Sequence, residues 1–280
     1  MKAVIVTSGG LDSVTNGLMM LKKGYECLFL HFDYKQKCEQ GERLSCEVIV
    51  KELGNKGFPV SLQVVELPVF KELGQGSSLV DDAVGVVEGI ESIKMSSGEI
   101  GNLWVPARNV IFIAFAAAFA EKIGAEIITL GCNQSESSYK DNTKTFLDRY
   151  TRMLEYGTLR GGIKVISPEW KFDKPHILKW GWDNGFGWVY EYTYSCDDKP
   201  VFVVEREREE LPHRKQFVTC GMDGCCMNRR FAFYVAEKLW GIKDNQRYAN
   251  EDYFRILFLK QLKETCEETW WQFKYLNLVE

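Results

Sequence analysis

Residues 3–13 read Ala3-Val4-Ile5-Val6-Thr7-Ser8-Gly9-Gly10-Leu11-Asp12-Ser13. Residues 3–7 are apolar and rich in β-branched side chains, as a strand buried on both faces requires. A helical pattern runs from about Asp12 to Lys22, with Val14, Leu18 and Leu21 on one face, and Gly24 stops it. The stretch Ser8–Ser13 therefore falls at a strand-to-helix junction. Its two glycines can reach φ > 0 and let the backbone approach an anion closely. The helix N-terminus adds free N–H groups and partial positive charge, and Ser8 and Ser13 add hydroxyl donors. Together these make an anion site. Asp12 would repel a bare phosphate there, so it either holds Mg²⁺ or caps the helix. The Lys-Ser/Thr pair of a Walker A loop is missing.

The same alternation continues outward. Residues 27–32 form a second apolar strand, residues 38–53 a helix ended by Gly54, and residues 60–66 a strand entered through Pro59. A buried Ala- and Phe-rich helix is predicted over 109–123, a strand over 126–131, a helix over 143–156, a strand over 162–167 and a helix over 174–182. Strands alternating with helices predict an α/β fold, a parallel sheet with helices on both faces. Residues 71–101, rich in Gly and Ser, read as one long loop. Three parts follow: an α/β domain bearing the anion loop over 1–190, a cysteine module over 191–235 with a charged insertion at 197–219, and a helical extension over 236–280. The insertion reads as a solvated hairpin or loop. The tail from about Asn250 to Tyr275 reads as a packing helix or a homodimer contact.

Composition narrows the partners. The chain has 280 residues and a formal net charge of −4, which disfavours a large nucleic-acid partner, because phosphate neutralisation drives such binding. No run of about 18 apolar residues exists, so no membrane span is expected. With no export signal, a cytoplasmic location is expected. Nine cysteines, an odd number, do not read as a disulfide framework. Cys27, Cys46, Cys132 and Cys266 read as ordinary buried or half-buried thiols.

Several residues beyond the loop suit nucleotide chemistry. Arg108 follows Pro106 at a predicted helix start, where a guanidinium can meet phosphate through two hydrogen bonds. Lys174 can neutralise negative charge that develops on a bound anion or orient a substrate. Asp33 and Gln36 lie at the carboxyl end of the second strand, where open parallel sheets bind ligands. Tyr139 and Asp141 can hydrogen-bond the edge of a planar ligand, with Tyr34 as a further aromatic wall.

Ser8-Gly9-Gly10-Leu11-Asp12-Ser13 resembles the Ser-Gly-Gly-x-Asp-Ser signature of the PP-loop, or N-type, ATP pyrophosphatases. Further segments are similar to the 7-cyano-7-deazaguanine synthase family and occur in its order. Phe32-Asp33-Tyr34-Lys35-Gln36-Lys37 resembles Phe-Asp-Tyr-Gly-Gln-Arg, and Val105-Pro106-Ala107-Arg108-Asn109 resembles Val-Pro-Gly-Arg-Asn. Ser137-Ser138-Tyr139-Lys140-Asp141 resembles Ser-Gly-Tyr-Pro-Asp, and Pro168 and Lys174 fall at a Pro-x5-Lys spacing. The resemblance implies an adenine nucleotide alpha hydrolase-like fold, related to the Rossmann type. It implies adenylation of 7-carboxy-7-deazaguanine and amidation with ammonia, using ATP and Mg²⁺. The implied ATP residues are Ser8, Gly9, Gly10, Leu11, Asp12, Ser13, Arg108 and Asn109, of which Asp12, Ser13 and Arg108, with Lys174, are catalytic. The implied substrate residues are Asp33, Tyr34, Gln36, Ser138, Tyr139 and Asp141.

The family also carries a Cys…Cys-x2-Cys-x2-Cys zinc module. Cys196 matches its first ligand, Cys220 its second and Cys226 its fourth. Asp223 stands at the third position and Cys225 one residue before Cys226. The fourth Zn²⁺ ligand is thus Cys225 or Asp223, or zinc is absent. The insertion and the tail exceed the usual synthase. They leave open a relative that attaches a deazaguanine to a protein or nucleic-acid acceptor, for example beside antiviral functions. A nucleotide-binding module without turnover and a tRNA-modifying enzyme of the class are further alternatives.

Overall fold

The computed structural model describes residues 1–97, 103–133, 139–200, 218–246, 248–266, 270, 272–276 and 278. Strands β1 (Lys2–Val6), β2 (Glu26–Asp33), β3 (Val60–Glu66), β4 (Ile127–Thr129) and β5 (Lys164–Ile166) form one sheet in the order β3-β2-β1-β4-β5. Every pairing is parallel. Period-two alternation explains why β1 can sit at its centre. Ala3 and Ile5 face one hydrophobic cluster, and Val4 and Val6 face the other. The first cluster is covered by α1 (Leu11–Lys22), α2 (Glu39–Asn55) and α7 (Lys174–Asp183); the second by α5 (Arg108–Ile123) and α6 (Lys144–Gly157). Because β2 and β4 flank β1 on opposite sides, the carboxyl edge of β1 is the topological switch point, where such sheets leave a crevice.

Residues 71–101 are not one loop. They contain the end of α3 (Phe70–Leu73) and the whole of α4 (Gly89–Ser97). The Gly- and Ser-rich composition hid this, because α4 is fixed by tertiary contact rather than by propensity. Ile93 is fully buried, the Gly89 N–H donates to the Met222 carbonyl at 2.7 Å, and Glu88 bridges Asp223. Helix α8 (Gly224–Trp240) runs unbroken through position 235, capped by Asp223 and ended by Gly241 at φ 70°. The predicted single tail helix is interrupted. It comprises α9 (Glu251–Tyr253), a π-helical turn (Phe254–Phe258), α10 (Leu259–Thr265) and, after a break at Cys266, α11 (Phe273–Leu276). Its Phe254, Phe258, Leu262 and Tyr275 join the α1/α7 core. Most of the charged insertion, residues 201–217, lies outside the described residues. Among the described residues no helix is long and apolar enough to cross a membrane.

Candidate active site

The loop after β1 is folded on its own side chains. The Ser8 N–H donates to Ser13 Oγ at 3.2 Å, the Gly9 N–H to Thr7 Oγ1 at 3.2 Å, and the Gly10 N–H to Ser8 Oγ at 3.3 Å. Gly9 sits at φ 77°, and a Cβ there would come 2.7 Å from Ser45 Oγ, so both backbone angle and space demand glycine. Gly131, past β4, lets the loop approach from the other side, since its Cβ would lie 3.0 Å from the Ser13 nitrogen. Helix α1 starts directly behind the loop with no side-chain cap. Of the two roles open to Asp12, capping therefore falls away. One oxygen, Oδ2, accepts from Lys174 Nζ at 2.8 Å, while the buried Oδ1 has no hydrogen-bond partner among the described residues.

The loop opens onto a cleft of about 330 Å³ at the carboxyl ends of β1, β2 and β4. Ser8, Gly10, Asp12 and Ser13 line its floor, and Tyr34, Arg108, Asn109 and Tyr139 line its walls. The Arg108 guanidinium donates to the Tyr34 hydroxyl at 3.0 Å, and the Tyr139 ring stacks on Trp104 with centroids 5.5 Å apart. Five other expected residues lie behind this lining. Gly9 is pinned by Ser45 Oγ and by the Tyr194 N–H, both on its carbonyl at 2.9 Å, and Leu11 is core. Asp33 is tied to its own turn, receiving Lys35 Nζ at 2.8 Å and the Lys35 N–H at 3.0 Å. Gln36 braces the same turn, donating to the Phe32 carbonyl at 3.1 Å and to Glu42 at 2.8 Å. Asp141 is buried under Asn109, whose side-chain amide donates to its carbonyl at 3.2 Å. Lys174 reaches the floor through Asp12. Ser138 lies outside the described residues.

Two turns bear a cost. Lys35 and Ala107 hold left-handed backbone, φ 64° and 53°, and are the only described residues other than glycine that do so. Both stand where the resembling family carries glycine. A side chain there costs about 1–2 kcal/mol. The Lys35–Asp33 ion pair offsets part of this at the first position; the second gains nothing comparable from its methyl group.

Three chemically capable cleft residues escaped the sequence reading. His31 is 1% exposed and lines the cleft from β2. Glu42 on α2 has its carboxyl pushed up to about 7 by burial, against the stabilising hydrogen bond from Gln36. Asp197 has its carboxyl raised to about 6, again chiefly by burial. The one visible signal was His31, a lone titratable side chain inside the apolar run Cys27–Phe32. Glu42 is indistinguishable in sequence from a solvated helix glutamate.

Beside the cleft, ligand atoms of Cys196, Cys220, Asp223 and Cys226 lie within 4.8 Å of one another. The Cys220 and Cys226 sulfurs are 3.9 Å apart, close to the roughly 3.8 Å edge of a tetrahedron with Zn–S of about 2.3 Å. Asp223 Oδ2 accepts from the Cys196 and Cys220 thiols at 3.0 and 2.9 Å, while Oδ1 accepts from the Cys226 N–H at 2.7 Å as the cap of α8. Three sulfurs and one carboxylate so arranged fit Zn²⁺. Of the two alternatives for the fourth ligand, Asp223 is in this group. Cys225 is exposed and instead lines the cleft beside Asp197. Cys27, Cys46 and Cys132 are buried and Cys266 half-buried, as expected.

The sequence model described as Queuosine biosynthesis protein QueC matches residues 2–237. The chain is 33% identical to a 7-cyano-7-deazaguanine synthase of Methanocaldococcus jannaschii over 253 residues, 89% of this chain and 99% of that one. It is 34% identical to one of Campylobacter curvus over 251 residues, 89% and 98% of the two chains. It is 31% identical to one of Methanococcus maripaludis over 255 residues, 90% and 100%.

Proposed function

The chain belongs to the QueC family of queuosine biosynthesis proteins, and on that premise we propose that it is an ATP-dependent carbon–nitrogen ligase of the 7-cyano-7-deazaguanine synthase type. The observation that carries this reading is the β1–α1 junction. Its serine-glycine loop opens onto the switch-point cleft and ends at an Asp12 whose Oδ1 is buried and without a hydrogen-bond partner among the described residues.

A carboxylate oxygen of 7-carboxy-7-deazaguanine attacks the α-phosphorus of ATP, and the bond to pyrophosphate breaks. Ammonia then attacks the acyl carbon; AMP leaves with the C–O pair, giving the amide. A second adenylation at the amide oxygen, with loss of AMP and two N–H protons, gives the nitrile. The loop and the N-terminus of α1 hold the phosphates. Lys174, fixed by Asp12, and Arg108, fixed by Tyr34, stabilise charge that grows on the departing pyrophosphate. The nucleobase lies against Tyr139, with Tyr34 and Asn109 beside it, while Asp33, Gln36 and Asp141 shape the turns that present them. Glu42, near neutrality and facing the cleft, takes the proton that the attacking amine sheds.

Mg²⁺, when bound, neutralises phosphate charge, and Asp12 Oδ1 is the group that would hold it. Zn²⁺ would be held by Cys196, Cys220, Cys226 and Asp223 in a closed site that supports folding rather than chemistry. Mass spectrometry after incubation with ATP, 7-carboxy-7-deazaguanine and ammonium tests the reading. The expected product is the nitrile, by way of the amide. AMP formation with neither product, until a macromolecule is added, would replace ammonia with another acceptor.

A further inference from the structure

We infer that His31 is a nucleotide-reading residue, its Nε2 accepting a hydrogen bond from a hydroxyl or amine of bound ATP. The inference rests on the cleft being an ATP site. His31 sits on β2, and its Nδ1 lies 3.1 Å from the Thr7 carbonyl. A carbonyl can only accept, so Nδ1 carries the proton and Nε2 presents a lone pair. That Nε2 is buried and has no hydrogen-bond partner among the described residues. The residue is 1% exposed, yet it lines the cleft. Leaving a buried polar atom unsatisfied is costly, so its place in a ligand cleft calls for a ligand.

The chemistry of that ligand follows from the lone pair. Burial lowers the imidazole below its ordinary range, only partly opposed by the Thr7 hydrogen bond. Asp33 and Glu47 pull it up and Arg43 pulls it down. A neutral acceptor repels phosphate oxygens, which carry no proton at neutral pH, and selects an O–H or N–H donor. Side-chain alternation along β2 favours the nucleotide as its source. Phe32 and Tyr34 point into the cluster under α5, the side on which the nucleobase is placed. His31 lies on the other face. It is keyed to Thr7, whose hydroxyl accepts the Gly9 N–H at 3.2 Å. It therefore lies on the phosphate-loop side of the cleft, within reach of the rest of the nucleotide rather than of the deazaguanine. The donors available on ATP are the ribose hydroxyls and the adenine amine.

The experiment is calorimetric titration of MgATP, 2′-deoxy-ATP, 3′-deoxy-ATP and purine riboside triphosphate into the wild type, His31→Leu and His31→Gln. The analogues separate the ribose from the amine. One analogue should bind the wild type about tenfold more weakly than ATP. His31→Leu should bind ATP about tenfold more weakly and no longer tell that analogue from ATP. Gln, which can place an oxygen near the Nε2 position, should recover most of the loss while leaving 7-carboxy-7-deazaguanine affinity unchanged. The inference is overturned if His31→Leu binds ATP within twofold of wild type, or if the wild type discriminates none of the analogues. Should the Leu variant fail to fold, ¹⁵N NMR of the wild type decides it. The chain has three histidines, and the His31 Nε2 resonance must shift on adding ATP; no shift in an ATP-saturated sample overturns the inference. A wild type that binds no ATP refutes the ATP-site reading itself, an outcome distinct from ATP binding that ignores His31.

Discussion

At Asp12 the two carboxylate oxygens have separate tasks. Oδ2 holds Lys174, which is 7% exposed, and Oδ1 is buried without a hydrogen-bond partner among the described residues. Removing either charge weakens the hold on the other, so the two act together. Asp12→Ala, Lys174→Met and Ser13→Ala should each lower turnover at least about tenfold, equivalent to about 1.4 kcal/mol of transition-state stabilisation. The Asp12/Lys174 double variant should be little worse than either single one. Steady-state kinetics on folded protein checks this, and undiminished turnover in Asp12→Ala would remove the phosphate-loop assignment. Ala107 makes a different prediction. It holds φ 53° with only a methyl group to show for it, so Ala107→Gly should raise stability by about 0.5–1 kcal/mol, once the greater unfolded-state freedom of glycine is subtracted. Chemical denaturation would show this as a higher midpoint at unchanged slope; a lower midpoint would mean the turn is not strained. At this scale the sequence was legible where chemistry needs a fixed local pattern, as in Ser8–Ser13. It was silent where a residue matters only through a distant neighbour: nothing in the sequence around Glu42 announces Gln36, Arg108 and Asp197.

Among the elements, the cysteine module depends on one residue serving two structures. Asp223 caps α8 through Oδ1 and completes the sulfur cluster through Oδ2. Protein purified without chelator should carry about one zinc per chain. Cys225→Ser should keep that zinc. Asp223→Ala should lose most of it, and with it the cap, itself worth about 1 kcal/mol. Metal analysis with thermal melts in the presence and absence of chelator distinguishes the two. Zinc retained by the Asp223 variant and lost from the Cys225 variant would reverse the ligand assignment. Spacing alone left both residues open, because the direction of a side chain at the start of a helix is fixed by the cap, and the cap belongs to the three-dimensional turn. Helix α4 was missed for a related reason. It is held by the Met222 carbonyl and by α8, not by its own periodicity.

For the molecule as a whole, the parallel sheet was the most legible feature. Apolar runs buried on both faces, alternating with helices, leave few arrangements. The tail was the least legible, since its partner lies about a hundred residues earlier. Asp173 caps α7 one residue before Lys174, and its carboxylate also takes the His176 ring at 2.6 Å, the Tyr275 hydroxyl at 2.9 Å and the Lys274 ammonium. The segment after residue 237, beyond the family match, thus closes onto the helix end that presents Lys174. Truncation after Cys266 should lower kcat roughly three- to tenfold, with KM for ATP changed less than twofold. Tyr275→Phe should do so more weakly. A truncated chain with full kcat would make the tail a cover for the core and nothing more.

The central claim is that this cleft splits ATP between its α- and β-phosphates to activate a carboxylate. Phosphorus NMR of the reaction with MgATP, 7-carboxy-7-deazaguanine and ammonium reads that bond directly. The account predicts AMP and pyrophosphate in equal amounts, formed only when 7-carboxy-7-deazaguanine is present. ADP and orthophosphate, or ATP left intact with every reactant supplied, would contradict it.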